Sequence, residues 1–425
     1  MKLSLKHILF ETARYLLALT LIFSGVVKAI DPVGSGIKVG EYLTAFHLTF
    51  FVPYALVIAI LLSSMEFFLG ACLFMGLWRK FLGWISVGFM SFMTTLTLYL
   101  ALYNPVSDCG CFGDAFKLTN WQTFEKNIVL LSATIIYLIG YRYTHRAFAS
   151  KKMQFFGGLL ALSSILVFTM ANYFHLPVLD FRPYKVGESL PSLVLIPDDA
   201  PQDEYTYEFV YEKEGVQKTF DIDHLPDSTW NYIERKEKLI SKGYIPPVTD
   251  FVLFNGTEDV THNILSIAGD MIFVVTPSWA KVSTKYGDRL NQLYALSEQK
   301  GITLFALSGS STEEEDSWKQ ETLASYPTLF LDATTIKTIA RGVPSILFLK
   351  DGVIIRKINA YDLPEQTESI DKYIDQTYNQ GVRKEGYLLR SILLVVWFIL
   401  TSVFLVIRST SREPIGVSLV NGTQD

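Results

Sequence analysis

Cysteine is scarce in this chain: three residues in 425, at positions 72, 109 and 111. A domain stapled by several disulfides is thereby excluded. Histidine is sparse too, at six residues. Cys109 and Cys111 therefore fall short of the four ligands a zinc site takes, unless Asp108 and Asp114 join them. Charge is missing from long stretches as well. Residues 81–104 and 153–179 contain no Asp, Glu, Lys or Arg, and 50–78 contains Glu66 alone. Gaps of that length exclude an ordinary soluble protein. Net charge is −5 with no strongly basic run, which gives no footing for a nucleic-acid partner.

What fills the gaps is apolar. Half of all residues are hydrophobic and 14% are aromatic, and mean hydropathy is +0.28. Each of the three runs exceeds the ~20 residues that cross a hydrocarbon core of ~30 Å. Residues 15–27, 127–141 and 391–407 are shorter, but polar or aromatic flanks extend each to spanning length, so the sequence predicts six transmembrane helices. The first run has no small-residue cleavage site and reads as a retained anchor. Lys2 and Lys6, Arg79 and Lys80, Arg142, Arg146, Lys151 and Lys152, and Arg408 and Arg412 all fall on one side if the helices alternate. By the positive-inside rule that side is the cytoplasm, and the contrary charge of Lys38 in the first outer loop is too little to reverse this. Both termini are then cytoplasmic. The loop "SDCGCFGD" and the long segment between helices 5 and 6 lie together outside, as in a multi-pass protein of a bacterial inner membrane with a periplasmic domain.

The organisation expected is a four-helix membrane domain (1–146), a fifth helix with a Pro-rich connector (147–183), an extracytoplasmic hairpin and helix segment (184–249), an α/β domain (250–385), a sixth helix (386–408) and a cytoplasmic tail (409–425). "EYTYEFVYEKEGVQKTFDI" alternates around a Lys-Glu-Gly turn and predicts a hairpin. "DSTWNYIERKEKLI" follows with Asp227 or Ser228 as a helix N-cap. Beyond Asp250, "MIFVVT", "ITLFALSG" and "PTLFLD" read as buried strands. "SWAKVSTKYGDRLNQLYALSEQ", "TEEEDSWKQETLAS" and "ATTIKTIARG" are the intervening helices. The hairpin "PSILFLKDGVIIRKI" and the helix "EQTESIDKYIDQTYNQ" complete an open mixed sheet covered on both faces.

The order of elements from 250 to about 380 resembles a thioredoxin fold of the TlpA/peroxiredoxin type. "GDMIFVVTPSWAKVS" stands where such proteins have a strand, a Trp and then Cys-x-x-Cys, and "GVPSILFLKDG" looks like their cis-proline loop and terminal hairpin. The resemblance places the two thiol positions at Ala280 and Ser283, and neither side chain can replace a thiolate in disulfide exchange. No cysteine follows Cys111, so this domain holds no disulfide of its own. Its expected role is binding, with Trp279 and Pro344 on a surface that accepts an extended protein client. Otherwise Pro344 merely ends a strand edge.

The helical part resembles the DoxX/MauE family of small membrane proteins. The residues that carry the likeness are "FSGVVKAIDP" (23–32), the intramembrane "SMEFFLGACLFMG", and "DCGCFGD". The whole chain looks like a Bacteroidetes-type architecture that adds the tethered domain. MauE proteins are associated with maturation of methylamine dehydrogenase, whose periplasmic small subunit is rich in disulfides. Methylamine itself is carried by the family name alone.

Three readings of Cys109 and Cys111 stay open: a redox-exchanging pair, a static structural disulfide, and a metal site or inert thiols. With one residue between them a disulfide needs a tight loop, which Gly110 permits. The flanking Asp108 and Asp114 would raise the thiol pKa values and favour the disulfide. Cys72 falls near the cytoplasmic end of helix 2 and reads as a buried, inert thiol. Glu66 lies near the midplane, where an ionisable group by default suggests function, with Arg14 of helix 1 nearest in depth. The pair either transfers protons or locks two helices, and Lys28 is expected to snorkel outward. Aromatic residues read mainly as interfacial belt and lipid-facing bulk, so a quinone acceptor has no defined pocket. The leading function is a thiol–disulfide relay or maturation factor for an extracytoplasmic client. The alternative is a non-enzymatic assembly scaffold with the CGC pair as a staple.

Overall fold

The structure is a computed structural model, and it describes residues 5–106, 108–146, 148 and 150–382. The sixth helix expected at 386–408 and the tail lie outside the described residues. Five helices among those described are long and apolar enough to cross a membrane: α1 (Leu5–Ile30), α3 (Ala55–Phe74, extended to Thr49 by a 3-10 turn), α4 (Arg79–Tyr103), α5 (Asn120–Gly140) and α6 (Lys151–Phe174). Between α1 and α3 lies an unexpected helix, α2 (Pro32–Ala45). Its start is written in the sequence: Asp31 accepts a hydrogen bond from the Gly34 N–H at 2.8 Å, and Pro32 occupies the first helical position, where its missing donor costs nothing.

Glycines determine how the bundle closes. A Cβ at Gly25 would stand 2.6 Å from the Phe67 backbone nitrogen, and one at Gly70 2.7 Å from that of Ile22. The antiparallel α1 and α3 therefore touch backbone to backbone, the close approach that small residues permit between membrane helices. Around this seam Leu17, Ala18, Cys72, Leu73, Leu82, Tyr137 and Ile165 form a core. Cys72 is buried inside it, as expected, and unpaired with any other cysteine.

After α6 the chain forms a short helix α7 (Leu190–Val194) and then a three-stranded sheet ordered β2-β1-β3, with β1 (Glu204–Lys213), β2 (Val216–Asp221) and β3 (Asn231–Ser241). The hairpin stands as expected, turning at Glu214 and Gly215, both at positive φ. The helix expected from "DSTWNYIERKEKLI" is instead the strand β3. Asp227 caps only a turn, accepting from the Thr229 N–H at 3.0 Å. Cross-strand pairs such as Glu208 with Lys236 and Tyr211 with Tyr232 then fix β3 against β1.

The second sheet is ordered β10-β9-β6-β7-β8-β4-β5, with β4 (Phe254–Asn255), β5 (Glu258–Asp259), β6 (Asp270–Thr276), β7 (Thr303–Ser308), β8 (Thr328–Phe330), β9 (Ser345–Lys350) and β10 (Val353–Asn359). Strands β6, β7 and β8 run parallel, while β9 and β10 are antiparallel. With α8 (Thr261–Leu265), α9 (Gly287–Gln299), α10 (Thr312–Thr322), α11 (Ala333–Ile339) and α12 (Thr367–Gln380), this is a thioredoxin-like arrangement: a βαβ half, then a β-hairpin and a closing helix. The long helix expected from Ser278 is shorter. Two 3-10 turns, Trp279–Lys281 and Thr284–Tyr286, precede α9. The Val343–Pro344 bond is cis.

The connector between the two halves is clamped by ions. Lys357 donates to Asp180 at 2.7 Å and to the Tyr184 carbonyl at 2.8 Å, while Arg182 reaches Asp180 at 2.8 Å. Burial alone would raise the Asp180 pKa, but the Lys357 and Arg182 charges outweigh it and hold the carboxyl below its usual range.

Gly70→Val should lower the unfolding temperature in detergent sharply, by overpacking worth about 1–3 kcal/mol. Gly88→Ala, whose new methyl meets open space, should leave it unchanged. Because the Asp180 value is depressed, its stabilisation is complete above the unfolded carboxyl value of 3.8 and is lost as pH falls through the lower folded value. Asp180→Asn should loosen the connector even at neutral pH, by about 3–5 kcal/mol, since the buried Lys357 loses the carboxylate that offsets the burial of its ammonium. Proteolysis between Pro177 and Tyr184 reads both effects.

Candidate functional site

The "CGC" loop is built by its two flanking helices. Asn104, at φ +47°, ends α4 in a left-handed conformation, and its side-chain oxygen accepts from Asn120 at 2.7 Å. Asn120 also donates to the Val106 carbonyl, and a Thr119–Gln122 capping box starts α5. Within the loop the Gly110 N–H donates to the Asp108 carboxylate at 3.0 Å. Gly110 itself sits at φ +59°, and a Cβ there would strike the Lys38 side chain at 2.6 Å. Cys109 and Cys111 form a disulfide with a Cα–Cα separation of 5.3 Å, and both are half-buried.

Each cysteine's carbonyl is held from below. The Tyr42 hydroxyl of α2 reaches the Cys109 carbonyl at 2.7 Å, and the Ser24 hydroxyl of α1 reaches that of Cys111 at 2.7 Å. Ser24 in turn lies 2.8 Å from Glu66 Oε2, and Lys28 Nζ lies 2.7 Å from both Glu66 oxygens. Glu66 and Lys28 are 3% and 7% exposed, a paired charge inside the bundle. From α5, the Lys126 ammonium sits 4.4 Å above the ring of Phe112, next in sequence to Cys111.

The carboxylates flanking the disulfide are also paired. Asp108 lies 3.3 Å from Lys38, which also holds Glu41 at 2.7 Å. Burial would lower the Lys38 pKa, but these two carboxylates outweigh it and raise it. Burial pushes the Tyr42 phenol well up, with Asp108 and Glu41 adding to it, so Tyr42 stays a hydrogen-bond donor to the loop. Asp114 meets Arg341 at 3.1 Å, and Arg341 also bonds Asp31 at 2.8 Å. The negative field expected around the cysteines is thus partly offset, with the two cations Lys38 and Arg341 shared among the four carboxylates of Glu41, Asp108, Asp31 and Asp114. Arg341 lies three residues before Pro344, so the loop preceding β9 docks onto the CGC loop across 227 residues of chain.

Residues 6–140 match the family described as Methylamine utilisation protein MauE. The MauE-like segment therefore holds α1 to α5 with both cysteines, Ser24, Lys28 and Glu66, and it ends before α6. Residues 205–242, the three-stranded sheet, match a Domain of unknown function (DUF8463). The solution structure of a candidate protein disulfide isomerase from Bacteroides thetaiotaomicron is similar at 16% identity, over 33% of this chain and 89% of that one, with a TM-score of 0.25. Among curated proteins none matches. The pair in the MauE-like segment is CxC, not CxxC.

Several expected site residues fall elsewhere. Arg14 does not meet Glu66. It pairs with Glu11 at 2.6 Å and donates to the carbonyls of Leu73 and Phe74. The antiparallel crossing of α1 and α3 puts Arg14 beside the far end of α3 and Ser24 beside Glu66. Lys28 does not snorkel, because Glu66 draws it inward. Trp279 is not on a client-binding surface: it is 1% exposed, stacked on Trp318 with ring centroids 4.8 Å apart. Pro344 is buried too, while Ala280 and Ser283, at the thiol positions of the thioredoxin resemblance, are exposed.

From sequence, Ser24 and Asp31 receive no role and Lys28 only snorkelling, although all three lie in "FSGVVKAIDP". A readable signal was the Ser24–Lys28 spacing of four, which puts both on one helix face. Arg341→Glu would set a carboxylate against Asp31 and Asp114. Amide exchange in 108–118 and 340–345 should then rise about tenfold or more, as expected when charge-assisted hydrogen bonds worth about 1.5–3 kcal/mol are lost.

Proposed function

We propose that this protein is a membrane thiol–disulfide component that oxidises an extracytoplasmic client at Cys109–Cys111. A client thiolate attacks one sulfur, the S–S bond breaks, and the other sulfur leaves as a thiolate that takes up a proton. The second client thiol then resolves the mixed disulfide, so the client gains a disulfide and the pair gains two electrons and two protons. The thioredoxin-like domain cannot do this chemistry, since no cysteine follows Cys111, and its part is to hold the client near the loop.

The observation that carries this reading is the Arg341 bridge. It seats the segment before Pro344 beside a half-buried disulfide whose flanking carboxylates are paired. Disulfides open to solvent are the labile ones that exchange. The positive-inside pattern supports a shared face of loop and domain outside the inner membrane, with both termini in the cytoplasm.

A second reading has its own support. Tyr42 and Ser24 pin both cysteine carbonyls, as they would in an assembly scaffold where the disulfide is a static staple. Trapping separates the two. Cys109→Ala and Cys111→Ala, each leaving one thiol, should accumulate mixed disulfides with periplasmic proteins, and the double alanine variant should accumulate none. Absence of adducts, with client oxidation unchanged in the double variant, overturns the exchange reading and leaves the scaffold.

A further inference from the structure

We propose that Ser24 and the Lys28–Glu66 ion pair set the redox equilibrium of the Cys109–Cys111 disulfide, Ser24 being the positioning residue that links that pair to the Cys111 carbonyl. The inference rests on the exchange reading and extends it into the bundle.

It follows from counting protons. A serine hydroxyl carries one, and carbonyl and carboxylate oxygens only accept. Ser24 Oγ lies 2.7 Å from the Cys111 carbonyl and 2.8 Å from Glu66 Oε2. Lys28 gives no relief. Its three protons go to Glu66 Oε1, Glu66 Oε2 and Ser24 Oγ, at 2.7, 2.7 and 3.1 Å. With Glu66 ionised, the single Ser24 proton is contested between the carboxylate and the loop. The charged groups facing Glu66 are Lys28 from α1 and Lys126 from α5, the latter interacting electrostatically with both partners of the pair.

The disulfide fixes where the Cys111 carbonyl sits, and so it fixes this contest. Breaking the S–S bond frees the loop to move and lets Ser24 turn wholly to Glu66. Removing the Ser24 hydroxyl therefore takes a hydrogen bond from the oxidised loop. Changing Glu66 to glutamine does the opposite. The new amide can donate to Ser24 Oγ, and the Ser24 proton then belongs to Cys111 alone.

The test is the equilibrium of the full-length protein in detergent with dithiothreitol, the reduced fraction being read by alkylation mass shift. Dithiothreitol gives up two electrons and two protons as its own S–S bond forms, the Cys109–Cys111 bond breaks and two thiols appear. Ser24→Ala should raise the reduction constant about fivefold, the size of one net hydrogen bond. Glu66→Gln should lower it by a similar factor, and the double variant should match Ser24→Ala, because the effect of Glu66 passes through Ser24. Ser24→Thr, which keeps the hydroxyl, should return the constant toward that of the wild type.

Should Glu66→Gln not fold, the alanine and threonine variants at Ser24 carry the test, since they leave the ion pair in place. Constants for Ser24→Ala and wild type within twofold of each other overturn the inference. A pair that stays oxidised in every variant under excess dithiothreitol overturns it together with the exchange reading. A shifted constant without client adducts in cells supports it and sinks only the exchange reading.

Discussion

A carboxylate inside a bilayer is costly unless it is paired, and Glu66 is paired with Lys28 across the crossing of α1 and α3. The pair fixes the rotation of α1 against α3, and it can form only because Gly25 and Gly70 let the two backbones meet. Everything at the loop-bearing end is hung from that rotation. Ser24, one turn before Lys28, is aimed at the Cys111 carbonyl. Asp31, at the end of the same helix, caps α2 and catches Arg341. Helix α2 then brings Lys38 and Tyr42 to the loop. A helix turned by one residue would lose all of these together.

The soluble half is held by a second set of charges. Besides Arg341, His175 at the end of α6 lies 2.5 Å from Asp362, and Lys357 anchors the connector through Asp180. These contacts leave exposed the face that carries Ala280 and Ser283. On the reading proposed above, binding a client falls to that domain, which has no thiol, and the chemistry falls to the loop.

How much of this was legible follows from the range of each signal. The five spans were legible because an uncharged run long enough to cross a bilayer is a matter of length alone. The strand–helix alternation after Asp250 was legible because buried parallel strands are continuous apolar runs. The strand β3 was not: it is exposed along its whole length, so burial imposes no period on it, and its register comes from β1. The partner of Glu66 was not legible either. Counting residues along a helix gives depth but not rotation, and Arg14 and Lys28 differ in which part of α3 they meet. Arg341 and Asp31 are 310 residues apart, and nothing local to either one names the other.

The size of the ring closed by the disulfide bears on what it is for. In the chain-entropy picture a cross-link stabilises a fold by restricting the unfolded chain, and the gain grows with the length of loop closed. Cys109 and Cys111 close a loop of only three residues, worth about 1.6 kcal/mol on that scale. Asn104 and Asn120, the Asp108 turn, and Tyr42 and Ser24 on the two carbonyls hold the backbone around it, and none of these hydrogen bonds engages a sulfur. So short a ring is a weak staple, and on the exchange reading proposed above the two cysteines stand around one glycine for the chemistry of their sulfurs.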